Sequence, residues 1–334
     1  MVLLKIIIKA AVISAALLLS SAQAQEFKWI SGNLGPAESA TGKAAIHFAE
    51  LVKEKTNGRV QIRHFPAGQL GTGQEQIESI AIGTQHLLLS SGSAASSLVK
   101  EYGVVDSAFL FKDLAHFERF LNSEMAQQLN QRLVDEFGVR VIATNWYALP
   151  RYLMHREKFI ISPEDVVGVR TRSPNLPMFL RNYMNIGAVP VKVAYGEQYL
   201  ALRQGLVEMT ESAADAIRKV KLHEVAPYIT IADMMYPQSS VYVNDKAWQQ
   251  LTARDQAAIR QAAIDTGFWV TQLAIDNFAA DRSVIEEQGG RFAVMPEETR
   301  AALTKKFREN VPQMVEDGLI PEGWFKKIIE LRDQ

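Results

Sequence analysis

From Ala247 to about Glu287 the chain keeps a helical pattern with no proline, and its only interior glycine is Gly267. A helix of that length is longer than a small domain is wide, so the pattern predicts one helix that spans two domains. The total of 334 residues agrees with two domains rather than one.

The opposite end carries a different signal. Lys5 and Lys9 precede a short apolar run, Ala10 to Leu19, and then Ser20-Ser21-Ala22-Gln23-Ala24. A basic start, a short apolar core and an Ala-x-Ala site are the layout of a secretory signal peptide, cut after Ala24. An uncleaved anchor is the alternative reading. Cleavage leaves 310 of the 334 residues, removes two lysines and no acid, and moves the formal charge from −1 to −3. Scattered single basic residues at that charge argue against a nucleic-acid or anionic-membrane partner. Without cysteine, the chain has no disulfide and no thiolate metal ligand.

Between these ends the periodicity alternates. A strand is predicted over Phe27 to Ser31. A helix follows with Ala45, Phe48, Ala49 and Val52 on one face and ends at Thr56-Asn57-Gly58. Val60 and Ile62 mark a second strand, Phe65 to Gly73 a loop, Ile77, Ile80 and Ala81 a second helix, and His86 to Leu89 a buried strand. That order predicts a parallel α/β sheet. Ser90-Ser91-Gly92-Ser93 follows the carboxyl end of the last strand, the side on which open α/β sheets bind ligands. A helical stretch from Asp113 to Phe137, a strand from Val139 to Trp146 and an extended Tyr152 to His155 lead into a second αβ set. It has a helix through Leu176, Phe179, Leu180 and Tyr183, a strand from Val189 to Val193, a helix from Glu197 to Gln204, and a strand and loop from Val207 to Ser212. Strands are also predicted over Tyr228 to Ala232 and Ser239 to Asn244. The expected division is 25–149 with 238–277 as the first domain, and 150–237 with 278–334 as the second.

One stretch carries charge in a suggestive pattern. Asp165 to Pro174 reads as a helical turn closed by Gly168, then a strand in which Arg170 and Arg172, two residues apart, share a face. A guanidinium presents a planar fork that matches a carboxylate and stays charged at any working pH, so an arginine held on a strand makes an anion clamp. The plainer alternative is a pair of surface arginines. The chain has no Gly-x-Ser-x-Gly, His-Glu-x-x-His or phosphate-loop motif, and its six histidines have no metal-ligand spacing. Glu208, Glu211 and Asp215 leave a general acid/base reading open.

Taken together, Phe48-Ala49-Glu50-Leu51-Val52 running to Lys55-Thr56-Asn57-Gly58-Arg59, Phe65-Pro66-Ala67-Gly68-Gln69-Leu70-Gly71, Asp165 to Pro174, and Tyr199-Leu200-Ala201-Leu202 with Gln204-Gly205 resemble the solute-binding subunits of tripartite ATP-independent periplasmic (TRAP) transporters, the DctP-like family 7. The resemblance implies an α/β, two-domain periplasmic-binding-protein fold with a hinge and a long domain-spanning helix. It implies a periplasmic monomer that binds a small carboxylate without cofactor or metal and delivers it to small and large membrane subunits. Its carboxylate clamp maps to Arg172 in Gly168-Val169-Arg170-Thr171-Arg172-Ser173-Pro174. Arg151, Asn175, Tyr195, Glu211, Ser212, Ser91, Trp146 and Asn33 complete the candidate ligand set. Ser91, Ala94 and Ser212 stand where sialic-acid binders carry ligand-contacting groups, which favours a small monocarboxylate over sugar acids. The rivals are a binding protein of an ATP-driven importer or sensor, and a periplasmic enzyme acting on a carboxylate.

Overall fold

The computed structural model describes residues 26–147, 151–236 and 238–333. The predicted signal segment and Ala148, Leu149 and Pro150 lie outside these residues.

The first third forms β1 (Phe27–Gly32), α1 (Ala40–Lys55), β2 (Val60–Phe65), α2 (Gly73–Ile82) and β3 (Leu87–Ser91). Local chemistry sets the helix ends. The Ser39 hydroxyl accepts the Gly42 N–H at 3.2 Å to start α1, and Thr72 and Glu75 exchange side-chain and backbone bonds to start α2. Two 3-10 turns, Gly92–Ser97 and Lys100–Asp106, then precede α3 (Leu114–Leu121), α4 (Glu124–Phe137) and β4 (Val139–Tyr147). The single helix expected from Asp113 to Phe137 is therefore two. Ser123 breaks it by capping the Ala126 N–H.

The chain continues through β5 (Tyr152–His155), β6 (Arg170–Ser173), α5 (Pro177–Ile186), β7 (Val189–Lys192), α6 (Gln198–Arg203), β8 (Met209–Ser212), α7 (Ala214–Lys219) and β9 (Tyr228–Ile231). It ends with β10 (Gln238–Asn244), α8 (Asp245–Gln249), α9 (Ala253–Glu287), β11 (Arg291–Val294), α10 (Glu297–Glu309), α11 (Val311–Glu316) and α12 (Trp324–Glu330).

The strands make two sheets, ordered β2-β1-β3-β10-β4 and β11-β9-β5-β8-β6-β7. The parallel reading holds for β1, β2 and β3, but β10 runs antiparallel to both β3 and β4, so the first sheet is mixed. The chain passes between the sheets after β4, after β9 and along α9. Trp29, Phe48, Trp146 and Trp248 fill one core under the first sheet, and Met154, Leu202 and Ile217 fill another on the second. A third cluster, including Leu88, Phe117, Tyr183 and Phe307, is shared between them. Each fully buried large side chain contributes roughly 1.5–3 kcal/mol.

The long helix starts later than expected. Thr252 accepts the Asp255 N–H at 3.2 Å and separates α8 from α9, leaving 35 residues in the long element. At 1.5 Å per residue that is about 52 Å, enough to lie along both sheets. Gly267 is explained by close approach, because a Cβ there would sit 2.4 Å from the Asn145 amide nitrogen. Asn145 in turn donates to the Ile264 carbonyl at 3.0 Å, and the Trp146 indole donates to that of Ala263 at 2.7 Å.

Candidate functional site

The clamp stretch folds as its composition demands. Asp165 accepts the Ser162 and Ile161 N–H groups and fixes the turn before Gly168, whose φ of 74° needs a residue without a Cβ. Strand β6 follows at once. Its two arginines share a face but not an environment. Arg170 is exposed and pairs with Glu208 at 3.4 Å, whereas Arg172 is 4 % exposed. The Arg172 Nε donates to the Val193 carbonyl at 3.0 Å, and its guanidinium lies 5.9 Å from the centre of the Tyr195 ring. Among the described residues no carboxylate forms an ion pair with it. Burial pushes its pKa down and Glu211 opposes that shift. A guanidinium still keeps its proton, because its ordinary pKa lies far above working pH.

Arg151 stands just before β5, and its Nε donates to the Glu211 carboxylate on β8. Burial works against the Arg151 charge, but Glu211 and Asp106 help to outweigh it, so its pKa is raised. The trio of Arg151, Arg172 and Glu211 carries one more positive charge than negative. An unpaired buried charge is costly, and an anion of matching shape relieves that cost.

Tyr183 on α5 was not among the expected site residues. It is 0 % exposed, its hydroxyl has no hydrogen-bond partner among the described residues, and Glu211, Arg151 and Arg172 all act on it electrostatically. Gln198 is similar. Its Oε1 accepts from Thr210 at 3.3 Å while its Nε2 is unpartnered among the described residues. Helical spacing marks both positions as inward-facing and says nothing of their polar atoms.

Asn33 lies just past β1, at the carboxyl edge of the first sheet. It is 1 % exposed and neither atom of its side-chain amide is hydrogen-bonded among the described residues. The Phe65-to-Gly71 motif holds it in place. Asn33 donates its N–H to the Phe65 carbonyl at 3.3 Å, and its own carbonyl accepts the Gly68 N–H at 2.9 Å. Ser91 ends β3 on the same edge, where Tyr242 donates its hydroxyl to the Ser91 carbonyl at 3.2 Å. Ser212 is buried at the end of β8, and Asn175 is exposed in the turn before α5.

Trp146 is placed apart from the others. It is 2 % exposed in the core beneath the first sheet, edge-on to Phe48, and its indole N–H is already bonded to α9. The three acids considered for acid/base work are also separated in role. Glu208 pairs with Arg170, Glu211 with Arg151, and Asp215 on α7 accepts the Ala40 N–H of α1 at 3.1 Å, joining the two halves of the molecule. Bonding to the Arg170 N–H holds the Glu208 carboxyl below its usual range. A general acid would need the opposite shift.

The chain is similar to a solute-binding protein of Roseobacter denitrificans, 27 % identical over 83 % of this chain and 85 % of that one. It is 25 % identical to the C4-dicarboxylate-binding periplasmic protein DctP of Rhodobacter capsulatus, over 79 % of each chain. Among solved structures, the sugar acid binding protein of Advenella mimigardefordensis in complex with galactonate superposes with a TM-score of 0.85 at 23 % identity, covering 92 % of this chain and 98 % of that one. A TRAP periplasmic solute binding protein of Sulfurospirillum deleyianum with bound succinate does so at 0.82 and 25 %, covering 92 % and 99 %. These superpositions establish the two-sheet binding-protein fold. The model of the bacterial extracellular solute-binding proteins, family 7 (DctP), matches residues 31–317, and the chain belongs to that family.

Proposed function

We propose that this chain is the exported receptor of a TRAP transporter, which captures a small carboxylate between its two lobes and hands it to the small and large membrane subunits. The observation that carries this reading is Arg172, buried to 4 % exposure and ion-paired with no carboxylate among the described residues. In it the ligand carboxylate meets Arg172, Arg151 is held by Glu211, Tyr195 lies beside the clamp, and Asn33, Ser91, Ser212 and Asn175 border the remainder. The lobes divide as 25–149 with 238–277 and 150–237 with 278–334, a division supported by the membership of the two sheets. Export with cleavage after Ala24, action as a monomer and absence of catalysis belong to the same reading, and the dispersed roles of Glu208, Glu211 and Asp215 support the last.

The orphaned polar atoms bear on the ligand. Asn33 offers a donor and an acceptor, and Tyr183 a hydroxyl. A ligand that leaves them unpaired forgoes about 1–3 kcal/mol at each. We therefore rank hydroxylated acids such as aldonates above plain monocarboxylates, reversing the preference drawn from Ser91, Ala94 and Ser212. The galactonate bound to the Advenella protein supports that order.

A thermal-shift screen over aldonates, uronates, dicarboxylates and simple monocarboxylates tests both points, because a ligand that binds only the folded state raises its melting temperature. No shift with any acid would remove the function. A plain monocarboxylate binding tighter than every hydroxy acid would remove only the ranking.

A further inference from the structure

An open groove of about 800 Å3 lies away from the arginine clamp, between α10 and the segment Phe109 to Lys112 that leads into α3. It gathers Lys112, Arg300, Lys305, Arg308 and Arg332 against Glu297 and Glu309, a local charge of +3 in a chain whose total is −1. Part of this charge is left without an ion pair. Lys305 and Glu309 are 3.9 Å apart and both exposed, a weak pair. Lys112 and Arg308 have no ion-pair partner among the described residues. Arg300 and Arg308 stand eight residues apart on one helix, about 12 Å along its axis.

The groove is also tied to the segment by which the chain passes from β9 to β10. Arg300 donates to the Asp233 carbonyl at 3.1 Å, and Phe109 donates its N–H to the Met234 carbonyl at 2.7 Å. Phe109 and Asp233 both have left-handed backbones, with φ of 57° and 45°. A bulky aromatic residue holds that conformation only where its surroundings enforce it. The groove is thus built against a strained part of the connection between the sheets.

We propose that this groove docks an acidic polypeptide segment of a partner protein, and that its occupancy is felt by the β9–β10 connection. A lone small anion would stay hydrated and screened in an open groove, whereas an extended acidic segment meets several cations at once. The proposal goes beyond the receptor reading and depends on neither Arg172 nor any organic acid, so each can fail without the other.

Fluorescein-labelled deca-glutamate, titrated into the mature chain at 20 and 150 mM NaCl and followed by anisotropy, provides the test. Saturable binding is expected, weakened at least threefold by the higher salt. Lys305→Glu with Arg308→Glu should weaken it at least tenfold with an unchanged melting temperature, and the control pair Lys28→Glu with Lys53→Glu should leave it within twofold. Bound peptide should also slow hydrogen exchange at the amides of residues 232–236. Equal losses in the two double variants, or unaltered exchange at that connection, would overturn the proposal. Displacement of the peptide by equimolar inorganic phosphate would instead make this a small-anion site. Groove-dependent binding to phosphatidylglycerol vesicles without peptide binding would make it a membrane contact, and either result overturns it as well.

Discussion

The carboxyl edges of the two sheets carry opposite kinds of polarity. On the second sheet the edge is charged, with Arg151, Arg172 and Glu211 clustered where β5, β6 and β8 come together. On the first it is neutral, with Asn33 after β1, Ser90 and Ser91 at the end of β3, and Gln238 and Ser240 opposite them on β10. A charge acts over several ångströms and needs little precision to attract its counterion, whereas an amide contributes only at hydrogen-bond distance. On the reading proposed above, the charged edge captures the ligand and the neutral edge discriminates among ligands once both are within reach.

The most damaging change to this contrast is at the clamp. Arg172→Ala should lower affinity for the best acid of the thermal-shift screen by about 2–5 kcal/mol, thirtyfold or more, while leaving the fold intact. Arg172→Lys should also bind poorly, since a point charge lacks the bidentate fork. Titration calorimetry measures both, and near-wild-type affinity in the alanine variant would remove capture from the charged edge. Next in size are Asn33→Ala and Tyr183→Phe, each expected to cost about 1–3 kcal/mol of binding with no loss of stability, since the polar atoms removed are unpartnered in the fold. A fall in urea midpoint with unchanged affinity would make these residues structural.

A smaller effect should follow from loosening the contact that joins the lobes. Asp215→Ala removes a carboxylate from the first turn of α1, an interaction of about 0.3–1 kcal/mol, and should weaken binding up to about fivefold by depopulating the closed form. Small-angle scattering would then need more ligand to reach the same compaction. An unchanged ligand dependence would show that the contact does not sense closure.

A further effect, on stability rather than on binding, distinguishes the neutral edge by pH. Burial holds His64 neutral, with its pKa pushed down to about 4, and its Nδ1 lies 2.7 Å from the Ser31 hydroxyl. Between pH 6.5 and 4 the unfolded chain takes up a proton that the folded one refuses, so stability falls as pH drops through that window and this contribution levels off below it. After allowance for partial exposure, the loss from pH 7.5 to 5 should be about 1 kcal/mol. His64→Gln should flatten the urea-midpoint profile, and an unaltered slope would place the titration elsewhere.

Some of this was legible in the sequence, and the limits have physical causes. The two αβ sets and the long helix follow from periodicity, which depends on neighbours along the chain. The breaks at Ser123 and Thr252 are single capping residues inside otherwise helical patterns, and a periodic reading passes over them. Spacing also put Arg170 and Arg172 on one face, but only three-dimensional position pairs the first with Glu208 and leaves the second without an ion pair among the described residues. Trp146 shows the converse. It lies one residue before the end of β4, yet α9 packs over it and takes its indole N–H. The unpartnered atoms of Tyr183 and Asn33 depend on what surrounds them in space, to which no spacing rule responds.

The bonds that fix α9 to β4 also determine where it can bend. Asn145 and Trp146 donate to α9 carbonyls, and the Tyr147 N–H donates to Thr271 at 3.2 Å, so the helix is clamped to the first lobe as far as Thr271. Its far end is held by Asp281, which pairs with Arg218 of the second lobe at 2.5 Å. On the proposed reading any flexure falls in the stretch between, which is itself tied to the second sheet by Phe278 packed against Tyr152. Asp281 lies ten residues beyond Thr271, about 15 Å along the helix, so a flexure of about 10° at Thr271 carries Asp281 about 3 Å. On that reading, stiffness in those few turns sets how readily the two lobes part.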